Sequence, residues 1–198
     1  MKAVIFDLGG VVVEWDPAKI SQDFAKNERE SEQILNNLVS HPDWTHFDAG
    51  LLSEGELAQR FQQRSGIKLE RIYETFQFIK ESLTLIPQTA ELMKELQKRD
   101  ITLFCISNMS HAHYDFLSKK YDFFECFESK IISAETQITK PDPRLYEIAI
   151  EKFNIDPQHT LFIDDREDNI KTAKAFGFQT LHFKNSPECL NSIDNFYR

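Results

Sequence analysis

Residues 2–15 read KAVIFDLGGVVVEW. The apolar run Ala3-Val4-Ile5-Phe6 is too short for a helix. It also lacks the alternation of a strand with one face in water, so it reads as a strand buried on both faces of a parallel sheet. The run stops at Asp7 and enters Gly9-Gly10. A buried strand delivering one carboxylate into a glycine-bearing loop places that acid at the carboxyl edge of the sheet, where open α/β folds bind ligands. Taken alone, the segment is equally compatible with a solvated turn aspartate.

Downstream of Trp15 the texture becomes helical. Asp16 is a candidate cap with Pro17 at the first helical position, where its missing N–H costs little. A second helix is expected over Glu30–Val39 and ends at His41-Pro42-Asp43, leaving Trp44 and Phe47 in a connection. Ser53-Glu54-Gly55-Glu56 has the capping-box pattern and opens a third helix to about Gly66; a fourth spans Glu70–Ser82. Residues 16–85 thus form a four-helix insertion. After Pro87 the chain alternates helix and strand. Strands are expected at Ile101–Ile106, Ser129–Ser133, Thr160–Ile163 and Gln179–Phe183, with Asp142-Pro143 opening one of the helices. This order predicts an α/β fold, a mainly parallel sheet with helices on both faces.

Composition narrows the function. A chain of 198 residues with 17 Phe and 41% apolar residues is globular. Its net charge of −9 disfavours nucleic acid. Three cysteines without CxxC spacing fit buried thiols in a reducing compartment. No stretch approaches membrane-spanning length and no signal peptide is evident, so a soluble, cytoplasmic protein is expected, without nucleic-acid or membrane partners.

Three strands end in polar residues: Asp7, Ser107-Asn108 and Asp164-Asp165. In a parallel sheet these ends converge on one edge. Ser-Asn after a strand is commonly a turn, and Lys140 before Pro141 is commonly solvated. Two adjacent carboxylates at a strand end, however, repel each other unless a cation sits there.

Together these features resemble the haloacid dehalogenase-like hydrolase superfamily, largely phosphatases with an aspartate nucleophile. The matching motifs are FDLGGVV at 6–12, ISN at 106–108, Lys140 within TKPDP and IDDREDN at 163–169. The resemblance implies a Rossmann-like core, residues 1–15 and 86–198, with the first strand central and a helical cap domain at 16–85. It implies Mg²⁺ held by Asp7, the Gly9 carbonyl and Asp165, with Asp164 on a metal-bound water. Asp7 would attack phosphorus to give an aspartyl-phosphate. Ser107 and the Asn108 N–H would bind phosphoryl oxygens, Lys140 would add positive charge, and Asn169 would orient Lys140.

One position departs from the pattern. Most phosphatases of this family carry a second Asp, the general acid and base, where this chain has Gly9. Either the substrate's leaving group needs little help, as in a sugar 1-phosphate, or another group stands in, or the protein binds without efficient turnover. Glycine-bearing relatives resemble sugar-phosphate phosphatases with a small helical cap, which favours hydrolysis of a small phosphorylated metabolite. A non-catalytic phospho-ligand binder and a metal-independent 2-haloacid dehalogenase are the alternatives. His113 is the candidate substitute acid and substrate-binding group, against an exposed histidine near a helix start; Glu14 is a weaker rival. Trp15, Trp44 and Phe47 would form an apolar wall or simply the core of the helical insertion. A monomer or weak homodimer is expected.

Overall fold

The computed structural model describes residues 2–196. Five parallel strands are formed by Ala3–Phe6 (β1), Thr102–Ser107 (β2), Ser129–Ile132 (β3), Thr160–Asp164 (β4) and Gln179–His182 (β5), in the sheet order β3-β2-β1-β4-β5. The first strand is therefore central. All four β1 residues are fully buried, as a strand flanked on both sides and covered on both faces requires. Edge strand β5 exposes Gln179 and His182.

Register aligns the polar strand ends. Phe6 lies opposite both Cys105 and Ile163, so the next residues along, Asp7, Ile106 and Asp164, come level. Side-chain alternation then divides the core. Val4, Phe6, Leu103, Cys105, Leu161 and Ile163 enter one apolar layer; Ala3, Ile5, Phe104, Ile106 and Phe162 enter the other. The first layer is covered by α6 (Pro87–Gln97), α7 (His111–Lys120) and α11 (Pro187–Phe196), the second by α9 (Pro143–Phe153) and α10 (Glu167–Ala175). Asp7 and Asp164 share the parity of the second layer and so turn toward the segment that enters α9, where Lys140 lies. A single turn of helix, α8 (Ser133–Thr136), follows β3.

Between β1 and β2 stand helices α1 (Pro17–Phe24), α2 (Glu28–Ile34, continuing as a π turn over Leu35–Val39), α3 (Pro42–Asp48), α4 (Glu54–Ser65) and α5 (Leu69–Ser82). They share a core of their own built on Leu38, Trp44, Leu57, Phe61, Ile72 and Ile79. The predicted starts are realised. Asp16 Oδ1 accepts from the Lys19 N–H at 3.0 Å, and Ser53 and Glu56 form the reciprocal capping box. Asp142 caps α9 with Pro143 in its first turn.

The four-helix expectation is corrected to five, because Pro42 ends one helix and begins another. His41 caps α3, its Nδ1 accepting the Asp43 N–H at 3.1 Å, and Pro42 occupies the first turn. Buried Asp43 pairs with Arg60 (3.0 Å) and Arg64, tying α3 to α4. No helix among the described residues is long and apolar enough to cross a membrane. All three cysteines are free thiols, and Cys105 and Cys189 are buried.

Candidate active site

A cavity of about 650 Å³ opens over the carboxyl edge of the sheet, beneath the helices α1–α3. Asp7, Gly9, Asn108, Lys140, Asp165 and Asn169 reach it from the sheet side; Trp15, His41, Trp44, Thr45 and Asp48 reach it from the helical side. At its floor Lys140 is 3% exposed, Asp7 7% and Asp164 0%. The Lys140 ammonium donates to the Ile106 carbonyl at 2.8 Å and to Asp164 Oδ2 at 2.7 Å, and lies 2.9 Å from Asp7 Oδ1. Those three acceptors use all three of its N–H donors. Asp7 Oδ1 also accepts the Leu8 N–H at 2.6 Å.

Asp164 is tied to the protein through its other oxygen as well, Oδ1 accepting from the Arg166 N–H and from Asn169 Nδ2, both at 2.9 Å. Asn169 thus reaches Lys140 through Asp164, which holds the ammonium. Asn108 holds the Lys140 main chain, its Oδ1 accepting the Lys140 N–H at 2.7 Å and its Nδ2 donating to the Lys140 carbonyl at 2.9 Å. What Asn108 can offer a ligand is its main-chain N–H. Ser107 is buried at the end of β2, 1% exposed, and is not among the groups facing the cavity.

The electrostatics ask for a cation. Asp7, Asp164 and Asp165 each place a carboxylate oxygen within 4.8 Å of the others, and Lys140 is the one cation among these four side chains. Fully ionised, three carboxylates against one ammonium leave two uncompensated negative charges in a buried site. Burial, and next the charges of Asp164 and Asp165, push the Asp7 pKa up to about 8 against the pull of Lys140. Burial and then Asp164 likewise raise Asp165. Lys140 is raised despite its burial, because Asp164 and Asp7 hold its proton. A divalent cation would supply the missing charge, and an all-oxygen donor set with room for substrate suits Mg²⁺. Asn169 Oδ1, buried and without a hydrogen-bond partner, is a further acceptor beside the cavity.

Gly10 is fixed by this arrangement. Its φ is +75°, and a Cβ there would lie 2.6 Å from Asp165 Oδ2. Gly10→Ala should therefore displace Asp165 and add about 1–2 kcal/mol of left-handed backbone strain. The expected result is a lower melting temperature in chelator and a smaller further rise on adding Mg²⁺. Gly9 is different: the chain does not enter the left-handed region there, and a Cβ would make ordinary contact with Trp15 at 3.5 Å. The backbone does not demand this glycine.

The sequence of residues 1–177 matches the haloacid dehalogenase-like hydrolase family. The chain is a haloacid dehalogenase-like hydrolase. It is 26% identical over 200 residues to D-ribitol-5-phosphate phosphatase of Bacteroides thetaiotaomicron, covering 95% of this chain and 94% of that protein. It is 24% identical over 185 residues to a sesquiterpene phosphatase of Aspergillus oryzae, covering 93% and 91%. A haloacid dehalogenase family enzyme of B. thetaiotaomicron, solved with magnesium and inorganic phosphate, superimposes with a TM-score of 0.74 at 23% identity, covering 93% and 94%. Two other relatives are much longer, and the chain spans 37% of one and 18% of the other.

The cavity of this haloacid dehalogenase-like hydrolase bears on both candidate substitute acids. His113 does line it, but is 5% exposed at the start of α7, packed against the rings of Trp44 and Phe47 at 5.6 Å each. Its Nδ1 lies 2.9 Å from Ser110 Oγ, and burial, then Lys80, lower its pKa to about 3. A neutral imidazole is suited to hydrogen bonding rather than to donating a proton near neutrality. Glu14 is exposed, is not among the cavity-lining groups, and its N–H pairs with the Thr84 carbonyl at 2.8 Å where the two chain crossings meet. Trp15 and Trp44 stack at 5.9 Å and form one wall, whereas Phe47 belongs to the core of the helices.

Among the cavity groups that the sequence does not single out is a carboxylic acid, Asp48. It ends α3, where the sequence predicts a connection. Ser133 Oγ donates to the Asp48 carbonyl and accepts the Met109 N–H at 2.8 Å. Gly50, at φ +68°, lies so close to Ala134 that a Cβ would be 2.7 Å from the Ala134 carbonyl oxygen.

Proposed function

We propose that this enzyme is a Mg²⁺-dependent phosphatase that hydrolyses a small phosphorylated metabolite, a sugar or polyol phosphate, through an aspartyl-phosphate on Asp7. The observation that carries this is the constellation of Asp7, Asp164 and Asp165 around Lys140, two charges short of neutrality when fully ionised, on the floor of a metabolite-sized cavity. Residues 1–15 and 86–198 act as the catalytic core and 16–85 as a cap domain. Asp7, Asp165 and the Gly9 carbonyl would hold the ion, which when bound screens the carboxylates from an anionic substrate. Asp7 attacks phosphorus while Lys140, fixed by Asn108 and Asp164, keeps positive charge beside the nucleophile and the transferring group. The Asn108 N–H binds a phosphoryl oxygen.

His41, Thr45 and His46 line the cavity opposite this floor, with the Trp15–Trp44 stack as a flat face. Hydroxyl partners beside an aromatic wall fit a polyol or sugar phosphate, including a sugar 1-phosphate, and the similarity to D-ribitol-5-phosphate phosphatase supports the same class. The test is phosphate release across polyol, sugar and prenyl monophosphates with Mg²⁺ or chelator. Chelator-sensitive release, strongest with polyol or sugar phosphates, is expected. Release unaffected by chelator would rule out the metal-dependent mechanism, and metal-independent halide release from a 2-haloacid would establish dehalogenation instead.

A further inference from the structure

We propose that Asp48 is the general acid and base of this site, standing in for the side chain absent at Gly9. The inference rests on the phosphatase function proposed above and concerns the proton that the reaction must move.

The geometry of α3 carries it. His41, Trp44, Thr45 and Asp48 recur at i, i+3, i+4 and i+7, one face of a helical stretch, and all four line the cavity. Trp44 stacks on Trp15, and Trp15 is the residue that a side chain at Gly9 would touch. The indole pair thus borders the place of the missing carboxylate, and the same helix brings a different carboxylate into the cavity one turn later. The main chain at Asp48 is anchored. Its carbonyl is held by Ser133 Oγ, and Gly50 seats the next turn against Ala134. Burial raises its pKa well above the usual carboxylate range, and the charge of Asp7 adds to this against the Ser110 N–H. Such an acid keeps a proton to give.

The step balances. As an Asp7 carboxylate oxygen forms its bond to phosphorus, the bond from phosphorus to the leaving oxygen breaks and that oxygen takes the Asp48 proton, departing as an alcohol. Asp48, now a carboxylate, takes a proton from the water that attacks the phosphoryl group. The bond between phosphorus and Asp7 breaks, inorganic phosphate leaves, and both carboxyl groups return to their starting forms.

The test compares wild type, Asp48→Asn and Asp7→Asn with Mg²⁺ on two probes. One is an alkyl phosphate such as a polyol monophosphate; the other is 2,4-dinitrophenyl phosphate, whose leaving group needs no proton. Asp48→Asn should slow the alkyl phosphate by about 10²–10⁴-fold. On dinitrophenyl phosphate it should still give a rapid burst of one dinitrophenolate per enzyme, followed by slow turnover, with the phosphoryl group trapped on Asp7 and visible by mass. Asp7→Asn should show neither burst nor turnover. Asp48→Ser serves as a second variant if the asparagine protein melts early. Equal losses on both probes without a burst, or no loss on either, would overturn the role of Asp48. Wild-type and Asp7→Asn proteins that behave alike on both probes would instead overturn the phosphatase itself, and this proposal with it.

Discussion

Asp7→Asn should abolish turnover, on the order of 10⁴-fold or more as expected for loss of a nucleophile, yet leave the metal-free protein more stable than wild type at pH 8. Asparagine keeps Oδ1 to accept from Leu8 N–H and Lys140, and it removes one of the uncompensated negative charges. The sign follows from linkage. The Asp7 pKa is about 8 in the fold, above the ordinary carboxylate value, so the folded state retains a proton that the unfolded chain has lost. The stability this confers is full below the unfolded value and is lost as pH rises through about 8. Asp165 and Asp48, also raised, act in the same direction. His113, lowered to about 3, acts oppositely, and only below its unfolded value near 6.5. Between about pH 6.5 and 8 the carboxylates therefore dominate. In chelator, the wild-type melting temperature should fall across that window and the Asp7→Asn value should fall less. Saturating Mg²⁺ should reverse the order, because an ion that binds only the folded state stabilises the protein that holds it better. A wild type whose stability is flat with pH in chelator would contradict this account of the site.

Lys140→Met should be the most destabilising single change at this site. It removes the buried cation that pairs with both Asp7 and Asp164 and leaves an apolar chain beside three carboxylates. Breaking a buried pair from one side costs about 3–5 kcal/mol. Chemical denaturation in chelator should show that loss, and Mg²⁺ should restore more stability to the variant than it adds to wild type, since the ion becomes the sole counter-charge. Turnover should fall by a further ~10²–10³-fold even with Mg²⁺, the usual effect of removing one preorganised electrostatic group. Lys140→Arg is not expected to rescue it, because a planar fork cannot replace three donors converging on Ile106, Asp164 and Asp7. A variant as stable as wild type in chelator would show that the carboxylates are neutral without Lys140.

The sheet was legible because a buried parallel strand has a plain signature. Ala3–Phe6 has no polar residue until Asp7, and the polar ends of β2 and β4 repeat the theme. Helix α3 was legible too, by the rule that located α1 and α9: a polar cap followed by proline. His41-Pro42 fits it as Asp16-Pro17 and Asp142-Pro143 do, but a proline after a helix reads more readily as a stop than as a start. The other differences are matters of space, not of pattern. Nothing local distinguishes Asn108, which clamps the Lys140 backbone, from Asn169, which reaches Lys140 through Asp164. His113 has the right residue type near the right edge, and only its packing against Trp44 and Phe47 shows it to be desolvated. Gly9 and Gly10 are adjacent and identical in type; the carboxylate of Asp165 over one and the indole of Trp15 beside the other separate their duties.

The hydrogen bond from Ser133 to the Asp48 carbonyl bears on how a substrate enters. The chain crosses between sheet and helices twice, and those crossings are laced side by side, with Glu14 N–H on the Thr84 carbonyl and Ile86 N–H on the Val12 carbonyl, both 2.8 Å. A door hung on that strap alone would swing freely. Ser133, with Gly50 pressed against Ala134, latches it on a third side. A ligand can be admitted by slipping the latch, or through the cavity mouth while α3 stays docked. In the second case Asp48 never leaves the reacting centre between turnovers, and a chain nicked at one crossing would still hold its two halves together around an assembled site.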